Sequence, residues 1–273
     1  MRFPRALLFA LPLAGMVAAG GTPAATAVTV SHRPLIRVGT NQSTNWSGYN
    51  QGTVEQGSKL FNSVSGDWVV PTATRHKAGE DEYSSTWIGI GGGCIDAGCI
   101  VGDNTLIQAG TEQDVAANGT ATYSAWWELI PAPSITISNL PVKAGDKIHA
   151  DITEVVANSN VWTITLKNLT TGKTFTQTTP YSSSHATAEW IEETPLLIGG
   201  SGTGFSALPK LTTVRFNNAK TNGANAKLKP AEEMQLIDAN TSQPLATPSK
   251  PDPGLDGFND CSFASTCAAP TSN

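Results

Sequence analysis

The sequence predicts an all-β protein, a sandwich or barrel, on three observations. Helix signals are nearly absent, and short runs rich in β-branched and aromatic residues alternate instead with Gly, Asn, Pro and Asp turns. Several runs alternate strictly: Trp162-Thr163-Ile164-Thr165-Leu166 has the period of 2 that marks a strand with one wet face. The chain after its apolar leader is a little under 250 residues, enough to bury a core as one domain without metals or many disulfides.

The elements follow in order. Residues 1–27 read as a secretory signal: Arg2 and Arg5, an apolar run from Ala6 to Ala19, then the small-residue site Ala25-Thr26-Ala27. The run is shorter than the roughly 20 residues a bilayer span needs, so the expected product is secreted and free of the membrane after cleavage. Residues 28–44, with His32, Arg33, Pro34 and Arg37, read as an N-terminal arm or short pro-segment. The β domain is expected over 45–240, with strands at Ser63–Val70, Ser84–Ile90, Thr105–Thr111, Thr120–Ile130, Ser134–Ser138, Lys147–Val156, Val161–Asn168, Thr174–Thr179, Ala186–Glu192, Leu211–Asn217 and Glu233–Ile237. Ala117–Gly119, Ala144–Asp146 and Asn168–Gly172 are turn signals between them. Residues 241–273, rich in proline, read as an irregular extension pinned by a disulfide.

Charge and cysteine usage narrow the function classes. There are 17 Lys and Arg against 22 Asp and Glu, a net charge of −5 that becomes −7 once Arg2 and Arg5 leave with the leader. Such a chain is a poor partner for nucleic acid or anionic membrane. Only 14% of residues are charged, and a surface filled by Ser, Thr, Asn and Gly suits an acidic medium. The four cysteines fall in two close pairs, Cys94 with Cys99 and Cys261 with Cys267. In an exported chain these read as two local disulfides. His149 and His185 lie in unrelated segments and no CxxC occurs, so no metal or other cofactor is expected. The expected assembly is a monomer.

No G-x-S-x-G, H-E-x-x-H or phosphate loop occurs, and pairing the cysteines removes a thiol nucleophile. Carboxylate chemistry remains. Strand parity sorts the candidates. On Thr120–Ile130, Trp126 and Glu128 share a face opposite Trp127. On Ala186–Glu192, Glu189 and Ile191 share a face opposite Trp190 and Glu192. On Thr105–Glu112, Leu106, Gln108, Gly110 and Glu112 align, and Trp87 and Gly89 point away from Ile88 and Ile90. Several strands thus carry one apolar face and one face mixing Trp with Glu or Gln, as a groove on a curved sheet would require.

Six stretches in order carry a resemblance. They are Asn45-Trp46-Ser47-Gly48-Tyr49, Val64–Pro71, Trp87-Ile88-Gly89-Ile90, Leu106-Ile107-Gln108-Ala109-Gly110, Tyr123–Glu128 and Ala188–Glu192. The chain resembles the glutamic peptidases, or eqolisins, from about Asn45 to Asn218. The resemblance implies a sandwich of two antiparallel sheets, a concanavalin-like jelly roll. It also implies a catalytic dyad on Gln108 and Glu189, a substrate groove lined by Trp46, Trp87, Glu112, Trp126 and Glu128, and protein or peptide substrates. The chain departs from the fungal pattern at Gly91, where an Asp is usual, at Glu112, which replaces an Asp, and at Leu129-Ile130-Pro131, which replaces an aromatic-rich stretch. These departures bear on subsite preference and leave the dyad intact.

The dyad is chemically coherent. A Glu of ordinary pKa near 4.3 works as a base in mild acid, where a histidine is protonated. A Gln amide offers an N–H to an oxyanion and a carbonyl to a water, and it stays neutral at every pH. Two other readings compete: a secreted carbohydrate-binding module stacking sugars on Trp87 and Trp126, and a glycosidase using Glu128 and Glu189.

Overall fold

The computed structural model describes residues 28–96, 98–199 and 202–271. The expected signal peptide, residues 1–27, lies outside the described residues. Two antiparallel sheets pack face to face. The front sheet runs Ile135–Thr136, Ala121–Leu129, Leu106–Val115, Ser85–Gly91, Thr187–Glu193, Trp46–Gly52, Glu233–Ile237. The back sheet runs Thr174–Pro180, Val161–Asn168, Lys147–Glu154, Ser63–Val69, Val214–Thr221, Phe258–Ser262, Pro244–Pro248, Glu233–Ile237. Glu233–Ile237 belongs to both: Glu233 and Met234 face Tyr49 and Gly48, while Leu236 faces Ala246. The sandwich is therefore hinged along one side by a shared strand. At its other side Thr174–Pro180 and Ile135–Thr136 each pair with a single neighbour.

The fold is the β-sandwich the sequence predicts, and the strands named above recur within a few residues. Trp162, Ile164 and Leu166 are buried while Val161, Thr163 and Thr165 are half-exposed, which is the wet-faced strand read from the alternation. The turns match as well. Gly119, Gly145 and Gly172 have positive φ, and Asn168 Oδ1 accepts from the N–H groups of Thr170 and Thr171.

Three regions differ from expectation. Trp46–Gly52 is a central strand, buried at every residue, whose W-S-G-Y-N-Q-G sequence shows no apolar alternation because both its faces are covered. Gly48 permits it: φ is +136°, and a Cβ there would lie 2.1 Å from the Trp190 carbonyl oxygen. The expected irregular tail instead supplies two back-sheet strands, Pro244–Pro248 and Phe258–Ser262. Pro244 and Pro248 sit at the two ends of the first, where a missing N–H is tolerated, and Pro251 and Pro253 lie in the connection between the two. Finally, Thr29–Ser31 of the arm pairs with a hairpin, Leu196–Gly199 and Gly202–Phe205, whose glycine-rich sequence carries no strand signal.

The main core lies between the sheets and includes Ile88, Ile107, Trp190, Trp68, Ile148, Ile164 and Phe216, all buried. A second, smaller cluster lies on the opposite face of the front sheet: Trp46, Trp87, Leu106, Trp126, Ile130 and Ile191, with Leu35 of the arm packed against it. Both local disulfides form, with Cα–Cα distances of 4.8 Å for Cys94–Cys99 and 5.6 Å for Cys261–Cys267.

Candidate active site

The register of the front sheet places the candidate residues in rows. Across an antiparallel sheet, directly opposed residues project from the same face. Asn50 opposes Glu189, Glu189 opposes Gly89, Gly89 opposes Gln108, and Gln108 opposes Glu128. One row thus carries Asn50, Glu189, Gly89, Gln108 and Glu128. The next carries Gly48, Ile191, Trp87, Gly110 and Trp126, and the third Trp46, Glu193, Ser85, Glu112 and Ser124. All the expected groove residues lie on this outer face, and Trp190 and Glu192 face the core, as parity demands. Gly89 contributes no side chain between Glu189 and Gln108, and the Trp87 ring and the Leu106 methyl lie over it, 2.9 and 3.0 Å from where a Cβ would stand.

The hydrogen bonds give each group an orientation. Gln108 Nε2 donates to Glu128 Oε2 at 2.9 Å, which fixes the flip of the amide and leaves Gln108 Oε1 without a donor. Trp87 Nε1 donates to Glu193 Oε2 at 2.9 Å, and Trp126 Nε1 to Ser85 Oγ at 2.9 Å. Trp46 and Trp87 meet edge to face at 4.9 Å. Ser124 Oγ donates to Glu112 Oε2 at 2.9 Å.

Glu189 is fully buried, and both its oxygens lack a hydrogen-bond partner of good geometry. Burial holds its pKa well above the ordinary value. The nearby Thr187 hydroxyl pulls it down a little and the Asp103 charge pushes it up. The cover is the loop closed by Cys94–Cys99. Gly93 lies so close that a Cβ there would meet Asn50 Oδ1 at 1.6 Å and Glu189 Oε1 at 2.7 Å. Asn50 clamps this loop with two bonds: Cys94 N–H donates to Asn50 Oδ1 at 2.8 Å, and Asn50 Nδ2 donates to the Cys94 carbonyl at 2.9 Å. Glu128 is raised to about 8, chiefly by burial. The His32 and Arg33 charges oppose the shift and Glu193 reinforces it.

Sequence reasoning missed four residues of this neighbourhood. Asn50 shares its face with Trp46, so parity would have exposed it had Trp46–Gly52 been recognised as a strand. Glu193 follows Glu189 by four residues and shares its face. Asp103 sits in a loop whose path no local pattern encodes. His32, read as a loop residue, is fully buried against Trp126, with Nδ1 3.0 Å from Glu193 Oε2 and Nε2 3.5 Å from Glu112 Oε1. Its partners are 80 or more residues away, and nothing in the arm announces them. Among the described residues no group of three or more His, Cys, Asp and Glu side chains is arranged to hold a metal ion.

A comparison with protein families matches residues 44–253 to the Peptidase A4 family. The chain belongs to that family. Its activity is accordingly that of a glutamic endopeptidase, a peptide hydrolase, and this decides against the sugar-directed readings. Aspergillopepsin-2 of Aspergillus niger is 24% identical over 213 residues, covering 70% of this chain and 68% of the relative. The same architecture is found in scytalido-glutamic peptidase crystallised with a transition-state analogue inhibitor (TM-score 0.61, 22% identity, 81% of this chain and 98% of that one). It recurs in SCP-B, an eqolisin complexed with the tripeptide Ala-Ile-His (TM-score 0.56, 20% identity, 81% and 98%). The likeness to these solved structures is one of fold.

Proposed function

We propose that the protein is a secreted acid endopeptidase in which Glu189 activates a water and Gln108 orients it and stabilises the oxyanion. The observation that carries this reading is the row itself. Glu189 Oε1 and Oε2 and Gln108 Oε1 are buried acceptors without donors, flanking Gly89. A water between them would donate one proton to each side chain, the arrangement needed to deprotonate it and aim its lone pair. Glu128 acts as a positioning residue. By accepting from Gln108 Nε2 it sets which end of the amide faces the water. Once the tetrahedral oxyanion forms, the remaining Gln108 N–H stabilises it, and protonated Glu189 returns its proton to the leaving nitrogen.

Acid action follows from the same groups. A carboxylate base needs a pKa inside the working range, and solvent entering an open groove would relieve the burial that holds Glu189 high. Trp46, Trp87 and Trp126 offer flat apolar walls, and Glu112 and Glu128 polar contacts, to a peptide substrate. The local disulfides, the sparse charge and the leader support export as a monomer, with 45–240 as the peptidase domain.

The test is a set of variants assayed on casein in mild acid, with circular dichroism as the folding control. Glu189→Gln should lose on the order of 10²–10⁴ in turnover, and Gln108→Ala roughly 10²–10³, both with native spectra. Glu128→Gln should retain more than either, since an amide can still accept from Gln108 through its oxygen. A folded Glu189→Gln protein retaining more than about a tenth of wild-type turnover, far above what loss of a general base leaves, would refute the assignment.

A further inference from the structure

On the back sheet, residues 249–257 join Pro244–Pro248 to Phe258–Ser262 and fold over the irregular part of Val214–Thr221, whose register against Ser63–Val69 shifts between Asn217 and Lys220. The loop is fastened through the main chain. The Ala219 N–H donates to the Asp256 carbonyl at 2.8 Å, and the Leu228 N–H to the Leu255 carbonyl at 2.8 Å. Within the loop, the Asp252 N–H donates to the Gly257 carbonyl at 2.8 Å and the Asp256 N–H to Asp252 Oδ1 at 3.2 Å. These bonds occupy one carboxylate oxygen of Asp252 and leave the other.

Asp252 is 2% exposed, yet its Oδ2 has no hydrogen-bond partner. That oxygen is aimed at Gly257. A Cβ on Gly257 would stand 2.5 Å from it, 3.0 Å from Asn217 Oδ1 and 3.0 Å from the Phe216 carbonyl oxygen. Asn217 Oδ1 is likewise a buried acceptor without a donor, and so is Oδ1 of Asp256, the residue before Gly257. Two carboxylates, an amide and a peptide carbonyl from two distant segments thus gather at a space that a glycine keeps open. The Asp252 charge raises the pKa of Asp256 more than the Lys220 charge lowers it, so the space is negative on balance. Buried acceptors collected without donors are costly until something positive satisfies them.

Four oxygens as donors select a hard cation over zinc or copper. Ca²⁺ takes roughly six to eight oxygens at about 2.3–2.6 Å in an adaptable geometry, and it mixes carboxylate, amide and carbonyl ligands with water. Mg²⁺ demands a near-regular octahedron and gives up its waters reluctantly. The expectation of no metal rested on histidine and cysteine, which such an ion does not use. We infer that Asp252 Oδ2, Asp256 Oδ1, Asn217 Oδ1 and the Phe216 carbonyl form a Ca²⁺ site that ties the loop between the two tail strands to the bulge of the back sheet. The site belongs to the other sheet from Gln108 and Glu189. It holds the tail in place and takes no part in hydrolysis, whichever carboxylate drives that reaction.

The experiment uses the full secreted chain, stripped with EDTA and dialysed at about pH 7, where carboxylates are ionised. Calorimetric titration with CaCl₂ should show one site with a Kd of about 0.1–1 mM, the range of exported modules. At about 10 mM the ion should raise the melting temperature by about 3–10 °C. MgCl₂ at the same concentration should raise it clearly less, and NaCl at matched ionic strength should leave it unchanged. Asp256→Asn, at a half-exposed position, should weaken Ca²⁺ binding about tenfold or more, since affinity follows the charge of the ligands. Asp252→Asn should do the same, and if it does not fold, Asp256→Asn and Asn217→Asp decide. Asn217→Asp should keep the Ca²⁺ shift, because a carboxylate replaces the amide with another oxygen ligand. If the Asn217 amide served instead to donate to Asp252, that variant would melt lower with Ca²⁺ unable to restore it, and the site would be refuted. It would be refuted as well by the absence of calorimetric binding to the wild-type chain, by an equal shift from Mg²⁺, or by undiminished binding in Asp256→Asn.

Discussion

The two faces of the front sheet are built from the same strands, alternate residues going to each, and both carry a buried glutamate. Glu189 faces out and Glu192, three residues on, faces the core. Burial raises the pKa of each well above the ordinary range. What differs is the cover. Glu192 lies under the back sheet, its Oε2 accepting from Thr86 Oγ1 at 2.6 Å and its proton held partly by the charge of Asp260. Glu189 lies under a disulfide loop beside an arm, both of which are peripheral to the sandwich. The same side chain at the same depth is thus sealed between the two sheets on one face and covered only by segments outside the sandwich on the other.

The comparison can be broken first with tryptophans. Trp190→Ala empties a site in the sealed core and should cost about 3–5 kcal/mol of stability. Trp126→Ala, whose cover is His32 and the arm, should cost clearly less while weakening substrate use. Urea titration of both variants checks this, and equal losses would mean that the two faces are equally sealed. A second difference lies in pH. Asp260 is fully buried and pushed to about 7 by that burial, against about 4 in an unfolded chain. Its proton is kept on folding, so the stability it contributes is complete below about pH 4 and is lost as pH rises toward 7, at most about 4 kcal/mol for a shift of this size. Glu192 acts in the same direction. Melting temperature should therefore fall from pH 4 to 7, and Asp260→Asn should flatten that slope. A slope unchanged in Asp260→Asn would assign it to other groups, such as Asp114, which is raised to about 8. The smallest effect is expected at Glu192 itself: Glu192→Gln should keep turnover within about twofold, as is usual for a group outside the reacting site, while also flattening the pH slope.

Much of the fold was legible because it rests on local rules. Strict alternation gave Val161–Asn168, and parity correctly divided Trp126 from Trp127 and Glu189 from Glu192. Those rules failed where both faces of a strand are covered, since Trp46–Gly52 then carries no period, and where prolines mask short strands in the tail. In the site, the row of Glu189, Gln108 and Glu128 is parity plus register, and half of that is written in the sequence. The contacts of His32, Asn50 and Asp103 are not, because each joins segments far apart in the chain, and no local pattern specifies which distant partner a loop residue meets.

The central strand Trp46–Gly52 also sets a timetable. Trp46–Gly52 waits for Thr187–Glu193, about 140 residues downstream, and Val214–Thr221 finds its outer neighbour only in Phe258–Ser262, a further stretch along the chain. During vectorial synthesis the amino-terminal half therefore emerges with its central strand unpaired. Topologies dominated by such distant pairings fold slowly, typically in milliseconds to seconds. A nascent chain of this kind cannot assemble the row that joins Gln108 to Glu189 until Thr187–Glu193 has been delivered, long after the strand that carries Gln108.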